Sequence, residues 1–153
     1  MTPLILQDAP FTTPTDVTLP DGVVTVVHRA DQITMDQIHE VFDNGYSTLA
    51  QAGPIGPGYA IYSTVPTYTF DLEIGFPVTA VPDGFTAGTF PSGRALALSH
   101  LGPFDGLGDT WNTLFAAFEK KAAGSAGRII EVYVTDPSQT DAKDLRTDLF
   151  VVY

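Results

Sequence analysis

Apolar positions recur with a helical period twice along the chain, at the same spacing. Met35, Ile38, Phe42, Tyr46 and Leu49 fall at i, i+3, i+7, i+11 and i+14, and Phe104, Leu107, Trp111, Phe115 and Phe118 repeat those intervals. Each set lies along one side of a helix. Thr34-Met-Asp-Gln37 supplies a capping box for the first helix, and Asp105 is the candidate N-cap of the second. Lys120 and Lys121 fall in the last turn of the second helix, where cations suit the dipole, and Gly124 follows as terminator. Gly53 holds the matching place after the first. Gly45, inside the first helix, costs ~1 kcal/mol relative to Ala.

Ahead of each helix a turn leads into an apolar run of strand length. Thr18-Leu-Pro-Asp-Gly22 precedes Val-Val-Thr-Val-Val, and Thr89-Phe-Pro-Ser-Gly93 precedes Arg-Ala-Leu-Ala-Leu. Two strands are predicted after each helix, at 58–63 and 70–78 and again at 128–135 and 145–153. Turn-rich loops occupy 53–58 and 136–144. The chain thus reads as strand, helix, strand, strand, written twice. Repeat one spans 16–78, repeat two 84–153, and residues 1–15 form an N-terminal extension. The join at 79–84 is too short and apolar for a free linker. The prediction is one α+β domain with pseudo-twofold symmetry.

Alternation sorts the closing strands into faces. Leu72, Ile74 and Phe76 oppose Asp71, Glu73 and Gly75; Ile130, Val132 and Val134 oppose Glu131 and Tyr133; Leu149 and Val151 oppose Arg146, Asp148 and Phe150. The apolar faces are expected to cover the helices, giving an antiparallel sheet with both helices on one side. The other side then gathers Glu73, Glu131 and Asp148 with Tyr62, Tyr133 and Phe150. That face reads as a solvated outer surface or as a ligand groove. In a groove, aromatic walls stack on a flat or cationic guest while a carboxylate supplies charge. Tyr and Phe clustered with isolated acids tilt the reading toward the groove.

Charge narrows the partners. Seven Lys and Arg against 18 Asp and Glu in 153 residues give a formal charge of −11. Such a surface repels a phosphate backbone and an anionic membrane, so neither is expected as a partner. The acids are dispersed rather than in a run, which leaves a protein partner unsupported. Absence of cysteine excludes disulfides and thiolate chemistry. His28, His39 and His100 lack metal-ligand spacing, and no motif asks for a metal or a cofactor. Ser99 and His100 are adjacent, so on a strand they face opposite ways and form no nucleophile–base pair. Gly106-Leu-Gly108 mimics a dinucleotide fingerprint without its third glycine. Trp111 sits mid-stripe, as core or as the floor of a pocket. No apolar stretch nears the roughly 18 residues that span a bilayer, and no leader is evident; a cytoplasmic location is expected.

Four strings in order carry a resemblance. Phe70-Asp-Leu-Glu-Ile-Gly-Phe-Pro-Val78, Gly102-Pro-Phe-Asp-Gly-Leu-Gly-Asp-Thr-Trp111, Glu131-Val-Tyr-Val-Thr-Asp-Pro137 and Arg146-Thr-Asp-Leu-Phe-Val151 resemble the GyrI-like small-molecule-binding family over about 16–153. That family includes the effector-binding domain of some bacterial multidrug-responsive activators. The resemblance implies a duplicated βαββ fold with a ligand cleft between the repeats, lined by aromatics around buried acids, accepting bulky, often cationic, apolar compounds. Carried over by position, Glu73, Glu131 and Asp148 are the acids and Tyr62, Tyr133, Trp111 and Phe150 the aromatics. Asp148 stands where the family usually has Glu in its last strand, and its shorter side chain reaches less far. Residues 1–15 are too short for a DNA-binding module, so a stand-alone binder is expected, sensing or sequestering xenobiotic compounds. The alternative is a hydrolase that opens cyclopropane-type or other electrophilic natural products. It would use Glu73 or Glu131 as the acid and Trp111 and Tyr133 as positioning groups. Inhibition of gyrase, as the family name suggests, is a further reading.

Overall fold

The two turn-led apolar runs become the long strands β2 (Val24–Ile33) and β6 (Gly93–Leu101), each followed by its helix, α1 (Ile38–Leu49) and α2 (Leu107–Lys121). The closing strands are β3 (Tyr59–Tyr62) and β4 (Phe70–Pro77), then β7 (Ile129–Tyr133) and β8 (Arg146–Val152). Two short strands, β1 (Thr15–Leu19) and β5 (Thr86–Thr89), were not foreseen. The computed structural model describes residues 4–62, 68–121, 128–136 and 139–153. Gly124, Ser63 at the end of a predicted strand and 137–138 of a predicted loop lie outside the described residues.

The strands form one antiparallel sheet in the order β1-β6-β8-β7-β3-β4-β2-β5. The order reads the same from either end once β1, β2, β3 and β4 are exchanged with β5, β6, β7 and β8. Polar β1 and β5 close the two edges, where charged and short strands discourage further pairing. Each helix begins with a 3₁₀ turn, at 35–37 and 104–106. The first turn keeps its capping box, with the Thr34 amide donating to Gln37 Oε1 at 2.9 Å. The expectation for Asp105 is corrected: Pro103 occupies the N-cap and Asp105 lies inside the turn. Gly45 has a packing reason, because a Cβ there would overlap the Ile74 side chain. The helix lies that close to β4. No helix among the described residues is long and apolar enough to cross a membrane.

Register settles the faces, since directly opposed residues project to the same side. One row runs His28, Ile74, Ala60, Glu131, Leu149, Leu98 across six strands. This row lies under the helices. Ile74 and Ala60 share a core with Ile38 and Leu49, while Leu149 and Leu98 share one with Leu114 and Phe118. The neighbouring row, Arg29, Glu73, Ile61, Ile130, Phe150, Ala97, points the other way. There Ile61, Ile130 and Phe150 pack with Tyr59, Phe90, Leu4 and Phe11, so the N-terminal segment covers the back of the sheet.

This corrects the expected sorting. Ile130 and Val132 lie on the back, and Glu131 and Tyr133 lie on the helix side with Tyr62. Alternation shows which residues share a face, but β7 is buried on both. The back core, sealed by the N-terminal segment, took the purely aliphatic set.

Candidate ligand site

The two helices rest on different strands. α1 packs on β2 and β4, α2 on β6 and β8, and the central pair β3 and β7 lies between their footprints. Tyr62 of β3 and Glu131 and Tyr133 of β7 rise into that interval. Trp111 and Phe115 close it from α2, touching both helix-side cores. Ala60, directly opposite Glu131, leaves the carboxylate as the acidic group of its row.

Glu131 is only 5% exposed. Three neutral donors hold it: Trp111 Nε1 gives a hydrogen bond to Oε2 at 2.8 Å, and the Tyr133 and Tyr62 hydroxyls give theirs to Oε1 at 2.7 and 3.3 Å. Rings surround this cluster. The Tyr133 ring meets Phe42, Tyr46 and Phe104 edge-on at centroid distances of 6.1, 6.3 and 6.2 Å, and Trp111 stacks on Phe115 at 5.2 Å. Phe42, Tyr46 and Phe104 were visible in the sequence only as members of the helical stripes.

Burial raises the proton affinity of Glu131 above that of an ordinary carboxylate, and the bonds from Trp111, Tyr133 and Tyr62, with a smaller electrostatic contribution from His100, oppose that rise. Burial and the neighbouring carboxylate push both tyrosine hydroxyls upward, so they remain protonated donors. Among the described residues no Lys or Arg forms an ion pair with Glu131. A buried carboxylate without an ion-pair partner in contact is costly. A guest carrying positive charge would relieve that cost.

The other predicted acids lie elsewhere. Glu73 is on the back of the sheet, 2.7 Å from Arg29 Nε in a partly exposed pair. Asp148 is also on the back, fully buried and held by Arg146 Nε at 2.9 Å, Arg146 Nη2 at 3.0 Å and Ser99 Oγ at 2.6 Å. Phe150 packs edge-on with Phe11 in the back core. The common cleft predicted for Glu73, Glu131 and Asp148 is therefore corrected: Tyr62, Trp111, Glu131 and Tyr133 come together, and Glu73, Asp148 and Phe150 do not join them. Ser99 and His100 do face opposite ways, Ser99 toward Asp148 and His100 toward α2. Two surface clefts of about 280 and 300 Å³ lie away from this cluster, one beside Arg29, Glu73 and Arg128, the other between α1 and β2. Neither reaches Glu131. A buried carboxyl group and the donors that converge on it, rather than concavity, single out the Glu131 cluster.

A buried acid ringed by aromatic side chains has the make-up of a small-molecule site. Residues 22–153 match the family model of the GyrI-like small molecule binding domain, and the chain belongs to that family. No curated protein matches its sequence. Among solved structures, it is similar to the EcmrR C-terminal domain at 14% identity and a TM-score of 0.71, over 92% of this chain and 96% of that one. It is also similar to SAV2435 bound to tetraphenylphosphonium, at 10% identity and a TM-score of 0.66, over 92% and 93% of the two chains. A hydrolase encoded by lin2189 from Listeria innocua aligns at 14% identity and a TM-score of 0.59, over 94% and 93%. At these identities the likeness speaks for the fold, an antiparallel sheet with two helices.

Proposed function

We propose that the domain binds bulky aromatic cations between α1 and α2, with Glu131 as the counter-charge and Tyr62, Trp111 and Tyr133 as walls. Such binding suits sensing or sequestration of xenobiotic compounds. The observation that carries the reading is the Glu131 carboxylate, buried among rings and held by neutral donors alone. At an effective dielectric near 20, a unit positive charge ~5 Å away is attracted by roughly 3 kcal/mol. Tetraphenylphosphonium on SAV2435, a protein of the same fold, supports the choice of ligand class. The test is a thermal-shift comparison of tetraphenylphosphonium with tetraphenylborate, which has the same shape and the opposite charge. The cation at 100 times its dissociation constant adds about 2.7 kcal/mol of stability. Equal stabilisation by both ions would refute charge recognition.

A second reading is hydrolytic ring opening of an electrophilic compound. It draws on the raised proton affinity of Glu131, which suits a general acid, and on Tyr133 at 2.7 Å. The lin2189 protein, called a hydrolase, shares the fold. Incubation with a cyclopropane-type alkylator and mass spectrometry separates the readings: a mass gain of one water supports hydrolysis, and an unchanged compound supports binding alone.

A further inference from the structure

We infer that His100 is a positioning residue for this site, clamping the start of α2 so that Phe104 and Trp111 stand where Glu131 and Tyr133 meet them. The inference rests on the proposed binding site for its ligand, but its geometric content is independent of that reading. His100 is near the end of β6, 7% exposed and on the helix side, in the row that continues through Thr147 to Tyr133. Its Nε2 lies 2.7 Å from the Pro103 carbonyl oxygen and its Nδ1 2.7 Å from Thr110 Oγ1. A carbonyl only accepts, so Nε2 carries the proton, and in the neutral ring Nδ1 accepts from the Thr110 hydroxyl.

The two anchors immediately precede the two rings. Pro103 comes before Phe104, which packs against Tyr133 at 6.2 Å, and Thr110 comes before Trp111, which donates to Glu131 at 2.8 Å. One imidazole therefore ties down both ends of the segment that forms the α2 wall. The space beneath the turn fits the ring closely: a Cβ at Gly106 would lie 3.2 Å from His100 Cε1. Gly102, at φ 105°, turns the chain out of β6, and its amide donates to the Leu145 carbonyl at 2.8 Å. The turn is thus held from the strand on one side and from the ring on the other.

Trp111 is the single tryptophan, so intrinsic fluorescence reads its surroundings directly. In ligand-free protein, well below the melting temperature, His100→Leu is expected to move the emission to longer wavelength and to open the indole to acrylamide quenching. Thr110→Val, which removes one anchor and leaves the ring, shifts both in the same direction by less. His100→Gln, which retains a donor for Pro103, falls between His100→Leu and the native chain. Tetraphenylphosphonium affinity falls about tenfold in His100→Leu, the equivalent of one to two hydrogen bonds. If His100→Leu does not fold, the Thr110→Val spectrum and affinity decide. Native emission, quenching and affinity in Thr110→Val would overturn the inference, as would equal losses in His100→Leu and His100→Gln, which would reduce His100 to packing. If the emission shifts while the native protein binds no tetraphenylphosphonium, the positioning role stands and the ligand reading fails.

Discussion

Replacing Asp148 by Ala is expected to destabilise the fold strongly and to leave ligand recognition intact. Asp148 is fully buried, and Arg146, 9% exposed, donates to both of its carboxylate oxygens. The same guanidinium donates to the Asp8, Gln7 and Ala9 carbonyls at 2.6, 3.1 and 3.4 Å. Ser99 joins the network, and its hydroxyl also accepts the Phe11 amide at 2.8 Å. The pair therefore fastens residues 7–11 over the back core as well as satisfying itself. Removing the carboxylate leaves a buried guanidinium with neutral acceptors only, a change that costs about 3–5 kcal/mol. Against a total of about 5–15 kcal/mol, that is a large fraction. Urea denaturation reads it as a fall in midpoint of about 2 M. The double replacement Arg146→Met with Asp148→Leu should recover only part of the loss: it buries no unpaired charge, but it also takes the donors away from the Asp8, Gln7 and Ala9 carbonyls. Tetraphenylphosphonium affinity, measured below the transition, should match the native value. An unchanged midpoint together with lost cation binding would place Asp148 in the ligand site and refute this assignment.

Other substitutions probe the packing and the charges. Gly45→Ala gains ~1 kcal/mol of helix propensity but meets Ile74, so thermal denaturation should show a net loss of about 1–2 kcal/mol. Glu73→Gln breaks a partly exposed pair with Arg29, so stability should change by less than ~1 kcal/mol and cation affinity should stay the same. Glu131 takes up its proton more readily in the folded state than in the unfolded one. Its contribution is therefore fully present below the unfolded carboxylate range and is lost as pH rises through the raised folded value. Native protein should accordingly lose stability relative to Glu131→Gln across that interval, as measured by urea midpoints at a series of pH values; parallel curves would contradict the shift.

Much of the scaffold was readable because its signals are local. The helical stripes, the turns ahead of β2 and β6 and the four closing strands needed only period and punctuation. Edge strands β1 and β5 escaped because Thr-Asp-Val-Thr-Leu and Thr-Ala-Gly-Thr lack an apolar run and hold their place through the partner strand. The choice of face was not readable. β7 and β8 are buried on both sides, so apolar against polar parity does not say which set meets the helices. The consequence fell on the site. Glu131, Tyr62, Tyr133 and Trp111 stood among the candidates, yet Glu73 and Asp148 stood beside Glu131 as equals because all three alternate with aliphatic residues. Their pairing with Arg29 and Arg146 depends on register and on the distant N-terminal segment. His100 gave no motif, because its partners Pro103 and Thr110 are a carbonyl and a hydroxyl that carry no signature.

The most direct test of the Glu131 assignment is a calorimetric cycle of two proteins and two ligands. Native protein and Glu131→Gln are each titrated with tetraphenylphosphonium and with neutral triphenylphosphine oxide. The account predicts that Glu131→Gln weakens the cation by more than ~1 kcal/mol, at least about fivefold, and changes the neutral compound little. Equal losses for both ligands, or undiminished cation binding in Glu131→Gln, would contradict it.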